Sequence, residues 1–113
     1  MYETHRGGLI RNIRRPKKPL SFRIGIPWSG CELKSDIPVT SEQEAVAIAC
    51  GMQLGGAKTF VFMQDSGWLN CINNMCSLVY PYGFKIGGEV KGVPEPEHHK
   101  RSYDLYRYLN DTI

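Results

Sequence analysis

Thr40-Ser41-Glu42-Gln43-Glu44-Ala45-Val46-Ala47-Ile48-Ala49-Cys50-Gly51, followed shortly by Met63-Gln64-Asp65-Ser66-Gly67, decides how this chain is read. Ser41 and Glu44 fit the S-x-x-E capping box, so a helix is expected to start at about Glu42. Small residues follow at Ala45, Ala47, Ala49, Cys50 and Gly51, which allow close approach to a sheet or a second subunit. Gly55-Gly56 supplies the left-handed conformation that ends such a helix. Lys58-Thr59-Phe60-Val61-Phe62-Met63 is aromatic and β-branched over a strand's length and delivers Gln64 to Gly67 to its carboxyl end. Two strand-to-helix junctions therefore lie side by side, at the edge where open α/β sheets bind ligands.

Outward from this centre, Phe22 to Ile26 alternates as a strand. Pro27 to Gly30 reads as a loop, and a short helical piece or turn is expected over Cys31 to Lys34. Asp36 to Thr40 reads as brief extended chain, short or at an edge because of Pro38. From Trp68 to about Val79 the stripe Trp68, Cys71, Ile72, Met75 and Val79 predicts a helix, with Asn70, Asn73, Asn74 and Ser77 on its other face. Phe84-Lys85-Ile86 is taken as the start of a last strand, Gly87 to Pro96 as a loop, and Ser102 to Leu109 as a closing helix with Leu105, Tyr108 and Leu109 inward. Strand, helix, strand, helix predicts a three-layer α/β/α domain with a short, mainly parallel sheet.

At 113 residues, 42% of them hydrophobic and 22% charged, the chain suits one small globular domain. The net charge of +3 is uneven: residues 1–20 hold six Lys or Arg against Glu3, a local net of +5, and the remainder carries −2. We therefore read 1–20 as a basic arm and 21–113 as the domain. The arm suits a solvated tail, and an oligonucleotide or acidic partner is the rival reading. No apolar run approaches a bilayer span and no signal-peptide pattern opens the chain, so a soluble cytoplasmic protein without membrane contact is expected. Cys31, Cys50, Cys71 and Cys76 form no C-x-x-C pair and are expected to be reduced, mostly buried thiols. His98-His99 is read as an exposed pair, and no metal site is expected from this chain's residues.

The two junctions together resemble a known family. TSEQEAVAIACG, MQDSGWLNCINN and Ser77-Leu78 are similar to the pyrimidine-binding domain of thiamine-diphosphate-dependent decarboxylases of the sulfopyruvate and phosphonopyruvate group, in shortened form. In that group E-x-x-A-x-x-x-A-x-G precedes Q-N-S-G-x-G-N and a Ser-Leu. The likeness covers roughly residues 22–99 and is strongest from Val39 to Leu78. Gly25-Ile26-Pro27-Trp28-Ser29 is similar to the group's G-x-P-C-S loop, with Trp28 in place of Cys. Asp65 stands where Asn is usual, and Trp68-Leu69 replaces x-Gly.

The resemblance implies a role for each matching residue. Glu42 is the acid expected to hydrogen-bond the ring nitrogen N1′ of the cofactor's aminopyrimidine and so activate it; unaided, an acid in a first helical turn has only a macrodipole role. Gln64, Asp65, Ser66, Gly67 and Asn70 are implied to approach the cofactor, and Ser29 and Gln64 the substrate. No G-D-G element that would hold magnesium and the diphosphate occurs in the sequence. A diphosphate-binding partner subunit carrying the magnesium is therefore expected, in a homo- or hetero-oligomer. The implied substrate is a 2-oxo acid with a second anionic group, 3-sulfopyruvate or 3-phosphonopyruvate, decarboxylated to the aldehyde. A non-catalytic binding or assembly subunit of the same fold is the alternative left open.

Overall fold

The computed structural model describes residues 20–92 and 100–112. Residues 1–19 of the expected 1–20 arm and the His98-His99 pair lie outside them. Three strands form one parallel sheet in the order β1, β2, β3: β1 is Ser21–Gly25, β2 is Lys58–Gln64 and β3 is Gly87–Lys91. Helix α1, Glu42–Leu54, connects the first two. A broken helical stretch connects β2 to β3, and α4, Lys100–Thr112, follows. This is the small parallel α/β fold expected from the order of elements.

Register places the two junctions at one edge. Gly25 pairs with Phe62 and Met63 with Val90, so all three strands end at the same side of the sheet. Because side chains alternate along a strand, Ile24, Val61 and Met63 share one face with Val90. There they meet Ala45, Val46, Ala49 and Cys50 of α1 and Trp68, Cys71 and Val79 from the segment after β2. Phe62 points the other way, fully buried, with the Trp28 ring edge-on at 6.2 Å.

Helix α1 begins and ends on local chemistry. Ser41 Oγ accepts the Glu44 N–H at 3.1 Å, and Glu44 Oε1 reaches back to the Thr40 N–H at 2.7 Å. The reciprocal cap thus closes one residue earlier than the standard box, and such caps contribute about 1 kcal/mol. At the other end Gly56, at φ 93°, takes the left-handed position, while Ala57 N–H donates to Met52 O and Gly56 N–H to Gln53 O, both at 3.0 Å. That pair of bonds is the Schellman closure.

Four expectations need correction. No helical turn forms over Cys31 to Lys34, because the chain there leads into an edge cover for β1. Asp36 N–H donates to Arg23 O and its carboxylate accepts the Arg23 N–H, both at 2.7 Å, and Ser35 Oγ accepts the Gly25 N–H at 3.1 Å. The outer edge of β1 is closed this way against stray strand pairing.

The expected helix over 68–79 starts earlier and is broken. It comprises α2, Asp65–Leu69, then α3, Ile72–Asn74, then a π turn over Met75–Val79. Cys71, at φ −102° and ψ 8°, marks the break, and the Tyr80 N–H reaches five residues back to Met75 O at 3.0 Å. The wider turn lets Val79 stay buried in the core beside Cys71 and Trp68.

The last strand is Gly87–Lys91, within the stretch expected as a loop, and not Phe84 to Ile86. Phe84 and Ile86 pack against the core before it. Gly88 lies opposite Val61, and a Cβ there would fall on the Val61 carbonyl oxygen, so glycine is what admits β3 to the sheet.

In α4 the inward residues are Tyr106 and Leu109, whereas Leu105 and Tyr108 are 49% and 66% exposed. Tyr106 reaches in because Trp68 offers its ring edge-to-face at 5.2 Å. Of the cysteines, Cys50 and Cys71 are buried, Cys31 is half-buried and Cys76 exposed, all as free thiols. Among the described residues no cluster of three metal-ligating side chains exists, and no helix is long and apolar enough to cross a membrane.

Candidate functional site

Glu42 is the first residue of α1, half-buried, at the carboxyl edge of the sheet. The cap is completed by Ser41, Glu44 and Thr40. The Glu42 carboxylate is thereby released from capping and turned toward the next junction.

What it meets there is Gly67. A Cβ built on this buried glycine would lie 2.6 Å from Glu42 Cγ and 2.8 Å from both Cδ and Oε2. The missing side chain is therefore the space that the Glu42 carboxylate occupies. Asn70, at the end of α2, donates from Nδ2 to Glu42 Oε1 at 3.4 Å. Three residues singled out in the sequence, separated by up to 28 positions, thus form one constellation.

Asp65, the first residue of α2, is 1% exposed, and its Oδ1 accepts the Ser66 N–H at 2.8 Å. Its charge is felt by α4: burial first, and then the negative Asp65 and Asp111 beside it, push the Tyr106 phenol above its ordinary range. Gln64 ends β2, half-buried, and Ser29 is exposed on the loop after β1. Both stand at the carboxyl edge of the sheet, and among the described residues no hydrogen bond joins either of them to Glu42.

Two residues near Glu42 were not anticipated as part of the site. Asn74 Nδ2 donates to Gln43 O at 3.4 Å, a second tie onto the first turn of α1. Its position one turn beyond Asn70 on the polar stripe was the available signal. Cys71 lies fully buried beneath, its thiol against Gly67 O at 3.4 Å and Met63 Sδ at 4.0 Å.

Burial, and secondarily the negative charge of Glu42, push the Cys71 thiol up to about 12. A neighbouring carboxylate opposes a thiolate, so removing its charge favours ionisation. Glu42→Gln is therefore expected to lower the Cys71 pKa while leaving it above an ordinary thiol, since burial persists. The Cys71 13Cβ shift followed against pH measures this, and an unchanged midpoint would contradict the proximity of the two groups.

A separate apolar groove of about 300 Å³ lies between β3 and the π turn, lined by Val46, Met63, Trp68, Val79, Ile86 and Val90 among others. Neither Glu42, Gly67 nor Asn70 faces it. The constellation at the helix starts, rather than this groove, combines an acid with a backbone cradle.

Comparison with known proteins gives partial matches. Over 50 residues the chain is 48% identical to the sulfopyruvate decarboxylase subunit alpha of Methanococcus maripaludis, covering 44% of this chain and 30% of that one. The protein of the same name from Methanocaldococcus jannaschii is 49% identical over 43 residues, 38% of this chain and 25% of the relative. That from Methanothermobacter thermautotrophicus is 38% identical over 50 residues, with 44% and 30% covered. No protein-family model matches the chain, and no solved structure does. The matched stretch spans less than a third of each of these relatives, so the chain bears a partial match to sulfopyruvate decarboxylase alpha subunits.

Proposed function

We propose that this chain supplies the pyrimidine-side half of a thiamine-diphosphate site, as one subunit of a decarboxylase for a 2-oxo acid bearing a second anionic group. The observation that carries the reading is the seating of the Glu42 carboxylate in the space left by Gly67. An acid freed from helix capping, half-buried, and backed by a side-chain-free backbone suits a flat heteroaromatic ring edge with one basic nitrogen. The likeness to sulfopyruvate decarboxylase alpha subunits supports the substrate class and makes 3-sulfopyruvate the first choice over 3-phosphonopyruvate.

When bound, thiamine diphosphate supplies the electron sink for loss of CO2. The part of this chain is to hold and shift a proton. Glu42, lying against the backbone of α2 at Gly67, would hold that proton toward the ring nitrogen N1′. Gln64, Ser66 and Asn70 would offer polar contacts to the cofactor at this edge, Asp65 being buried, and Ser29 and Gln64 would serve the substrate. Magnesium and the diphosphate fall to a partner subunit, completing the site between chains.

A second reading, a non-catalytic assembly subunit of the same fold, is favoured by Asp65, whose buried charge acts on α4 through Tyr106. Calorimetric titration of thiamine diphosphate and magnesium separates the two. Binding by the chain together with a diphosphate-binding subunit, and by neither alone, is the expected result. Absence of binding in the mixture carries the second reading.

A further inference from the structure

Asn70, Asn73, Asn74 and Ser77 make up the polar stripe of the helix expected after β2. In the structure two of its members reach α1 at the protein surface: Asn70 Nδ2 is on Glu42 Oε1 and Asn74 Nδ2 on Gln43 O, each at 3.4 Å. Asn73 keeps to its own helix, accepting from Ser77 Oγ at 3.0 Å. The two bridging amides are spaced as i and i+4 and touch consecutive residues of α1, so they act as a two-point tie on its first turn.

We propose that Asn70 is a positioning residue: it fixes the rotamer of Glu42 by holding one carboxylate oxygen, while Gly67 makes room for the other and Asn74 anchors the backbone beneath. This deepens the reading given above and rests on it for its catalytic consequence. Two observations and two chemical arguments converge on the assignment. The cap of α1 is completed without Glu42. The Gly67 cradle lies along Glu42 Cγ, Cδ and Oε2, leaving Oε1 to Asn70. A glutamate side chain has three rotatable bonds, and a hydrogen bond on one oxygen restricts that freedom before any ligand arrives. Finally, an amide donor leaves the charge of the acid intact, where a second carboxylate would oppose it.

Asn70 is thus assigned to Glu42 and acts on the cofactor through it. A bond of 3.4 Å in the free chain is long, and such contacts tighten in assembled sites.

The test has one arm independent of activity. In 15N-labelled full chain, Glu42→Gln is expected to move the Asn70 side-chain amide resonances and leave those of Asn73 in place. Unmoved Asn70 resonances would overturn the proposal whether or not the chain belongs to a decarboxylase.

The second arm uses the chain assembled with a diphosphate-binding subunit. There Asn70→Ala is expected to lower kcat about tenfold with KM for 3-sulfopyruvate changed less than about twofold. Asn70→Asp, nearly the same size, is expected to lower kcat further, because it sets a like charge against Glu42. A residue serving structure alone would tolerate Asp at least as well as Ala, so an Asp variant equal to wild type overturns the assignment. Should the wild-type pair lack turnover, the proposed function fails and the amide resonances still decide the contact.

Discussion

Glu42→Gln in the assembled complex is expected to lower decarboxylation by about a thousandfold or more while leaving the chain folded. An acid at a helix start can hold two jobs. As a first-turn charge Glu42 interacts with the macrodipole, an effect of about 0.3–1 kcal/mol that Gln partly forfeits. As a proton-holding group at N1′ it is irreplaceable by an amide, and removal of a preorganised acid or electrostatic partner costs about two to four powers of ten in rate. The helix itself loses little, because its cap is carried by Ser41, Glu44 and Thr40. Thermal unfolding and turnover measured on the same preparation check both halves. A variant within tenfold of wild type would remove Glu42 from the chemistry, and a variant that fails to fold would return it to a structural role.

Gly67→Ala is the second large effect, and its signature is a rate loss out of proportion to its stability loss. The added Cβ meets Glu42 Cγ at 2.6 Å, inside any tolerated contact, so something must move. What it meets is the outer half of a flexible side chain, which rotates away cheaply. A stability loss of about 1 kcal/mol or less is expected, in line with ordinary substitutions that spare the core. The rotation, however, takes the carboxylate out of its seat, and a displacement of about 1 Å at a catalytic group costs about a hundredfold. Gly25 and Gly88 offer the contrast, since a Cβ at either falls on the carbonyl oxygen of Phe62 or Val61, backbone of the central strand. There the loss is in folding. Melting curves and kcat for the Ala variants at 67 and 88 distinguish an active-site cradle from a strand-packing glycine.

Several of these relations were legible in the sequence, and the reason is locality. The Ser41–Glu44 cap, the Gly56 terminator and the β-branched run of β2 each depend on residues within a few positions, so their chemistry is written in order. The meeting of Glu42 with the Gln64–Asn70 segment followed from the parallel order of two strand-to-helix units. What stayed hidden depends on distances set only by packing. Gly88 is a turn residue by composition and a strand residue by its place opposite Val61. Tyr106 faces inward in α4 because Trp68 and the buried Asp65 lie under it, a partnership separated by some forty residues. The tie from Asn74 to Gln43 stayed hidden because nothing in the spacing of the polar stripe says that the first turn of α1 lies alongside.

The same contrast explains how the partial match to sulfopyruvate decarboxylase alpha subunits sits with the fold. Three strands, one closed edge at β1 and one glycine-admitted strand at β3 are sufficient to set the two helix starts together. The junction chemistry needs only that edge. The remainder of the proposed reaction needs a second chain.

The most direct test is the release of CO2 from 3-sulfopyruvate by this full chain mixed with a diphosphate-binding subunit, thiamine diphosphate and magnesium. Turnover is expected in the complete mixture, with none when either chain is left out and none with Glu42→Gln. Absence of turnover in a mixture that demonstrably binds the cofactor, or equal turnover without this chain, would contradict it.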